Sequence, residues 1–182
     1  MISNRKKKGF TVMELVIVMT LTVAILGIIW TMVSVSNEII SDVVIESDLQ
    51  RERQAIQEEL SKIGMEANGI EPIDEGDIDV AGEVKKITIN SYYKHTSPHG
   101  FEILKEYSGE NYKNGNNRYN LKVDKIPFST NVESIKIINK DNISENNYID
   151  LTIKLRKDRN YNDKPITYDI NVRTVFRNKN KT

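Results

Sequence analysis

From Leu15 to Val35 the chain reads LVIVMTLTVAILGIIWTMVSV, with no charged residue anywhere in the run. A helix crosses a bilayer with about 20 predominantly apolar residues, so this segment predicts a membrane-spanning helix. Arg5, Lys6, Lys7 and Lys8 lie upstream of it. By the positive-inside rule these cations keep the N-terminus in the cytoplasm and send the rest of the chain outward. A secretory signal peptide shares the basic start and the apolar run, but its apolar region is usually about 7–15 residues long and ends at a small-residue cleavage site. Here the run is longer, and Ser34, Val35 and Ser36 match such a site only loosely.

Of the 182 residues, those left after the membrane helix and its extension suffice for one globular domain. The 26 basic and 26 acidic residues balance, which argues against a dedicated nucleic-acid binder. The four leader cations account for part of that balance, so the remainder of the chain is acidic by four charges. Cysteine is absent, which excludes disulfides, thiolate metal sites and a cysteine nucleophile. No glycine-rich phosphate loop, nucleophile elbow or other catalytic set is present, and the expectation is a non-enzyme without cofactor or metal.

Glu14 stands at the membrane end of the uncharged run, where an unpaired carboxylate costs a few kcal/mol. It needs a neutralising partner, unless it merely snorkels to the interface. The residues around it read Lys8-Gly9-Phe10-Thr11-Val12-Met13-Glu14-Leu15-Val16-Ile17-Val18. This string resembles the class III signal of type IV prepilins and type II secretion pseudopilins. The resemblance implies that a membrane-embedded prepilin peptidase cuts between Gly9 and Phe10 on the cytoplasmic side and N-methylates Phe10. It implies as further partners other pilin or pseudopilin subunits, an inner-membrane assembly platform and membrane lipid. In such an assembly Glu14 pairs with the Phe10 amine of a neighbour, which neutralises two buried charges and sets the axial register.

The chain departs from the resemblance in two ways. The proline that major pilins often carry in the apolar stretch is replaced by the sequence Ile29-Trp30-Thr31-Met32, and the frequent C-terminal disulfide loop is missing. Any bend must come from Gly27, Ser34 or Ser36. Trp30 suits either an interfacial anchor or a helix–helix contact. The expected subclass is a minor pilin or pseudopilin of the J or W type, and the alternative is a DNA-binding pseudopilin of an uptake system.

Helical spacing continues past the membrane run through Ile39, Ile40, Val43, Val44, Leu49, Ile56, Leu60 and Ile63, with charged residues between them. Gly64 is the expected stop. The reading is one helix from Phe10 to Ile63, or two with a hinge near Ser34 to Asn37. Beyond residue 80 the period becomes two, and strands are expected at Val84–Tyr93, Phe101–Tyr107, Tyr119–Ile126, Val132–Ile138, Ile149–Arg156 and Ile166–Phe176. The last two form an antiparallel hairpin. The resulting organisation is leader 1–9, transmembrane and polymerisation helix 10–35, amphipathic helix 36–64 and β-rich domain 65–182. The fold class is α+β, a long N-terminal helix packed on an antiparallel sheet.

Three weaker constellations remain. Asp74, Glu75, Asp77 and Asp79 lack EF-hand spacing and read as a solvated loop. His95 and His99 flank Pro98, which argues against a shared helical face for zinc. Arg173, Arg177, Lys179 and Lys181 concentrate charge that reads as a frayed tail or, less favourably, a DNA contact. Asn111 to Asn120, NYKNGNNRYN, is expected to be an exposed loop and a candidate contact surface.

Overall fold

The computed structural model describes residues 11–73, 75–78, 83–91, 100–139, 146–161 and 163–176. The chain divides into two compact units, Met1–Asp42 and Val43–Thr182, to both of which helix α1, Val12–Glu66, contributes.

In the C-terminal unit α1 turns one stripe inward. Ile45, Leu49, Ile56, Leu60 and Ile63 are buried, spaced three, four or seven apart, while Glu46, Arg51, Arg53 and Glu58 remain exposed. Val43 and Val44, expected to join this stripe, do not: they are 58 % and 53 % exposed. Gly64 is no stop either. It is buried, and the helix continues through Met65 and Glu66 directly into the first strand, β1, Ala67–Ile70.

Six further strands follow, β2 (Lys86–Ser91), β3 (Phe101–Asn111), β4 (Asn117–Val123), β5 (Ile126–Ile137), β6 (Tyr148–Lys157) and β7 (Ile166–Val175). They lie in sequence order in one antiparallel sheet. The expected last hairpin is present, with Leu151 opposite Val172 and Ile153 opposite Ile170. One face of the sheet buries Ile87, Ile103, Leu121, Ile135 and Ile153 in the same core as the α1 stripe. Polar ties reinforce this contact. Glu52 accepts 2.6 Å hydrogen bonds from Ser129 and Asn131 of β5, and Lys157 of β6 pairs with Asp48 at 2.9 Å.

The segment expected as a single strand, Tyr119–Ile126, contains a two-residue turn at Asp124 and Lys125, both with positive φ (48° and 71°). Asp124 tolerates that region, whereas Lys125 gives a poor signal for the turn. Tertiary bonding supplies the reason: the Asp124 amide donates to the Glu102 carbonyl, and Asp124 Oδ1 accepts from the Glu102 amide, each at 2.9 Å. Past this turn the sheet curls. A bulge between Val132 and Ser134 turns β5, and Val84, just before β2, donates its amide to the Ile135 carbonyl at 2.9 Å.

The expected loop at Asn111 to Asn120 is half strand, with 112–116 as the β3–β4 tip. That tip folds down. Tyr112 is 3 % exposed, with the guanidinium carbons of Arg156 and Arg118 at 4.7 and 5.3 Å from its ring centroid. The Lys113 amide donates to Asp158 at 2.6 Å, and its ammonium donates to the Arg159 carbonyl.

Candidate functional site

The N-terminal unit presents one long apolar helical surface with a single acidic group at its start. Thr11 is the N-cap of α1, and the first helical bond runs from the Leu15 amide to its carbonyl at 3.2 Å. Glu14 lies three residues on, and the two side chains cap each other's backbone. The Glu14 amide donates to Thr11 Oγ1 at 3.3 Å, while the Thr11 amide donates to Glu14 Oε2 at 3.0 Å. The Thr11 hydroxyl also donates to Oε2 at 3.0 Å. This is a capping box, with an acidic group in the first turn where the helix dipole favours negative charge. The Thr-x-x-Glu pattern ahead of an apolar run is its sequence signature, so Thr11 was legible as a partner of Glu14 although the family resemblance draws attention to Glu14 alone.

Oε2 takes both bonds from Thr11, and Oε1 accepts none among the described residues. The carboxylate is therefore fixed in place with a second acceptor oxygen available to an amine.

Further along, the polar side chains that would be costly in hydrocarbon are satisfied within the helix. Thr20 donates to the Ile17 carbonyl at 2.9 Å, Thr22 to Val18 at 2.7 Å and Thr31 to Ile28 at 2.8 Å. The large apolar side chains are uncovered, from Val12 at 80 % through Trp30 at 73 % exposed to Ile39 and Ile40. Ile39 and Ile40, read as part of the sheet-facing stripe, are thus exposed as well. Among the described residues α1 is long and apolar enough to cross a membrane.

Gly9 and Phe10, the expected cleavage and methylation residues, lie outside the described residues, as does the leader 1–9. So do Asp74, Asp79, His95, His99, Arg177, Lys179 and Lys181. Glu75 and Asp77 fall in a 3-10 turn, and no group of three potential ligands that could hold a metal ion occurs among the described residues. Arg173 is not part of a frayed tail. It lies on β7 opposite Asp150 and makes a two-pronged pair with it at 2.7 and 2.8 Å, over the ring of Tyr148. Both contacts raise the pull on its charge: Asp150 holds the guanidinium pKa up, and Arg173 holds the carboxyl below its usual range.

Comparison with protein-family models, with curated proteins and with solved structures gives no significant match.

Proposed function

We propose that the chain is a prepilin-type assembly subunit, a minor pilin or pseudopilin. A prepilin peptidase would process it between Gly9 and Phe10, and it would be held in the cytoplasmic membrane with its β-rich domain outside. The observation that carries this reading is the combination at the start of α1: one carboxylate locked by Thr11 at the head of an apolar surface that nothing in the described chain covers. A plain membrane anchor needs the apolar surface but not the carboxylate. An assembling helix needs both, because apolar side chains pack against lipid or sister helices while the charge sets their register.

Val43 and Val44 support the same reading. The domain leaves them exposed, and at about 1.5 Å per residue they lie well past the roughly 30 Å of hydrocarbon that a helix starting at Val12 can occupy. With Ile39 and Ile40 they extend the exposed apolar surface of α1 toward the domain, a surface a neighbouring subunit would cover in an assembly. A DNA-binding variant of this function loses support at Arg173, whose charge is committed to Asp150.

Mass spectrometry of the membrane-extracted protein tests the proposal. The expected product begins with N-methylated Phe10. A chain beginning near residue 36 instead is a signal-peptidase product and ends the prepilin reading.

A further inference from the structure

The curl that brings Val84 to Ile135 leaves a cleft of about 370 Å3 at its mouth. That volume lies within the range of small-ligand sites. It is lined by Asn116 of the β3–β4 tip, Asn117 and Tyr119 of β4, Glu133, Ser134 and Lys136 of the bulged half of β5, and Glu83. Lys154 of β6, opposite Ser134 in the ladder, completes the lining.

Most of these groups are held before any ligand arrives. Glu83 pairs with Lys105, whose side chain is 2 % exposed and whose ammonium sits 4.1 Å from the Tyr119 ring centroid. Glu133 is held by Lys154 at 3.0 Å and Arg156 at 3.2 Å. Asn116 and Asn117 belong to the hairpin that Tyr112 and Lys113 pin down, and the Asn116 carbonyl accepts from the Tyr112 amide at 2.9 Å. A preformed lining lowers the ordering cost of binding.

The chemistry of the lining selects the ligand class. Both carboxylates already have cationic partners, so a metal ion meets Lys136 and Lys154 instead of open anionic charge. A phosphate or sulfate meets Glu83 and Glu133 beside those lysines. Donors and acceptors both line the cleft beside Tyr119, one face of whose ring the Lys105 ammonium already covers, and neither the Ser134 hydroxyl nor the Lys136 ammonium has a hydrogen bond or ion pair among the described residues. A sugar hydroxyl both donates and accepts, and the C–H face of a sugar ring packs on an aromatic ring. We propose that this cleft is a binding site for a neutral carbohydrate, which gives the domain a recognition role independent of how the N-terminal helix is used.

Saturation-transfer NMR on the full chain in a sugar-free zwitterionic detergent tests this, with glucose, N-acetylglucosamine and galacturonate as probes at millimolar concentration. Transfer to the ring protons of at least one neutral sugar is expected. Lys136→Ala, at an exposed position that leaves folding intact, should weaken it roughly threefold or more through the loss of one hydrogen bond. Tyr119→Phe should preserve binding, because a sugar packs on the ring and not on its hydroxyl. Absence of transfer to either neutral sugar, transfer unchanged by Lys136→Ala, or a preference for galacturonate over both would overturn the proposal. Each of these results leaves the outcome of N-terminal processing untouched.

Discussion

Gly64 of α1 lies so close to Thr174 of β7 that a Cβ at Gly64 would stand 2.6 Å from Thr174 Cγ2 and 3.0 Å from the Val175 carbonyl oxygen. The absent side chain is what lets the end of the helix touch the strand. Gly64→Ala should therefore destabilise the domain by about 1–3 kcal/mol despite the better helix propensity of alanine, the usual cost of overpacking. Thr174→Ser, which removes Cγ2, should recover part of the loss, and thermal unfolding of the two single variants and the double variant measures this. A stabilised Gly64→Ala would show that propensity outweighs packing here.

Glu14 carries two roles that substitution can separate. Glutamine keeps the capping box, because its amide oxygen still accepts from the Thr11 amide, but it removes the charge. Alanine removes both. Glu14→Gln should leave insertion and cleavage intact and reduce incorporation into filaments tenfold or more, since attraction at an effective dielectric near 20 is worth a few kcal/mol between close charges. The ratio of subunit in sheared filaments to subunit in membranes, at matched expression, reads this out. Equal incorporation of Glu14→Gln and wild type, with loss only in Glu14→Ala, would assign the residue to capping alone.

Val43→Ser with Val44→Ser tests the surface that neither sheet nor hydrocarbon covers. Both side chains are exposed, so the unfolding temperature should stay near that of the parent while association with sister subunits falls. Cross-linking in membranes followed by gel analysis separates the outcomes, and unaltered cross-linking argues against a helix–helix contact at this level.

Tyr112 should make the domain sensitive to alkali. Burial pushes its hydroxyl from the ordinary 10.0 up to about 12. Its contribution to stability is fully present below pH 10 and is lost as pH rises toward 12, because the unfolded chain releases the proton first. Comparing Tyr112→Phe with wild type between these limits isolates this residue from the lysines. The phenylalanine variant should lose less stability over the window.

Asp150 gives the opposite dependence. Its carboxyl is held below the usual range by the hydrogen bond from Arg173, so the pair's contribution is present above that range and lost as pH falls through the lowered value. Asp150→Asn should flatten the acid side of the stability profile. The effect is small, because Arg173 is 64 % exposed in its side chain and solvent screens the pair.

The alternation Ile149, Leu151, Ile153, Leu155 and its counterpart Ile166 to Val172 determined the last hairpin from residue order alone, because a period of two has one way to bury an apolar face. The uncharged run to Val35 likewise determined that the helix surface is apolar, and the Thr11-x-x-Glu14 pattern carries a start signal that the reading from Phe10 did not use. Those signals are local, and each is complete within a few turns of chain. What the sequence left open involves groups distant in order. Gly64 has the identity of a helix stop and becomes a packing contact only because β7, more than a hundred residues later, arrives against it. Lys125 adopts positive φ without a side-chain preference for it, in a turn whose other residue, Asp124, is bonded by Glu102 from another strand. Val43 and Val44 match the period of the buried stripe, yet the sheet's cover begins at Ile45. Tertiary structure decided these points because burial depends on where a second surface ends, a distance that periodicity does not encode.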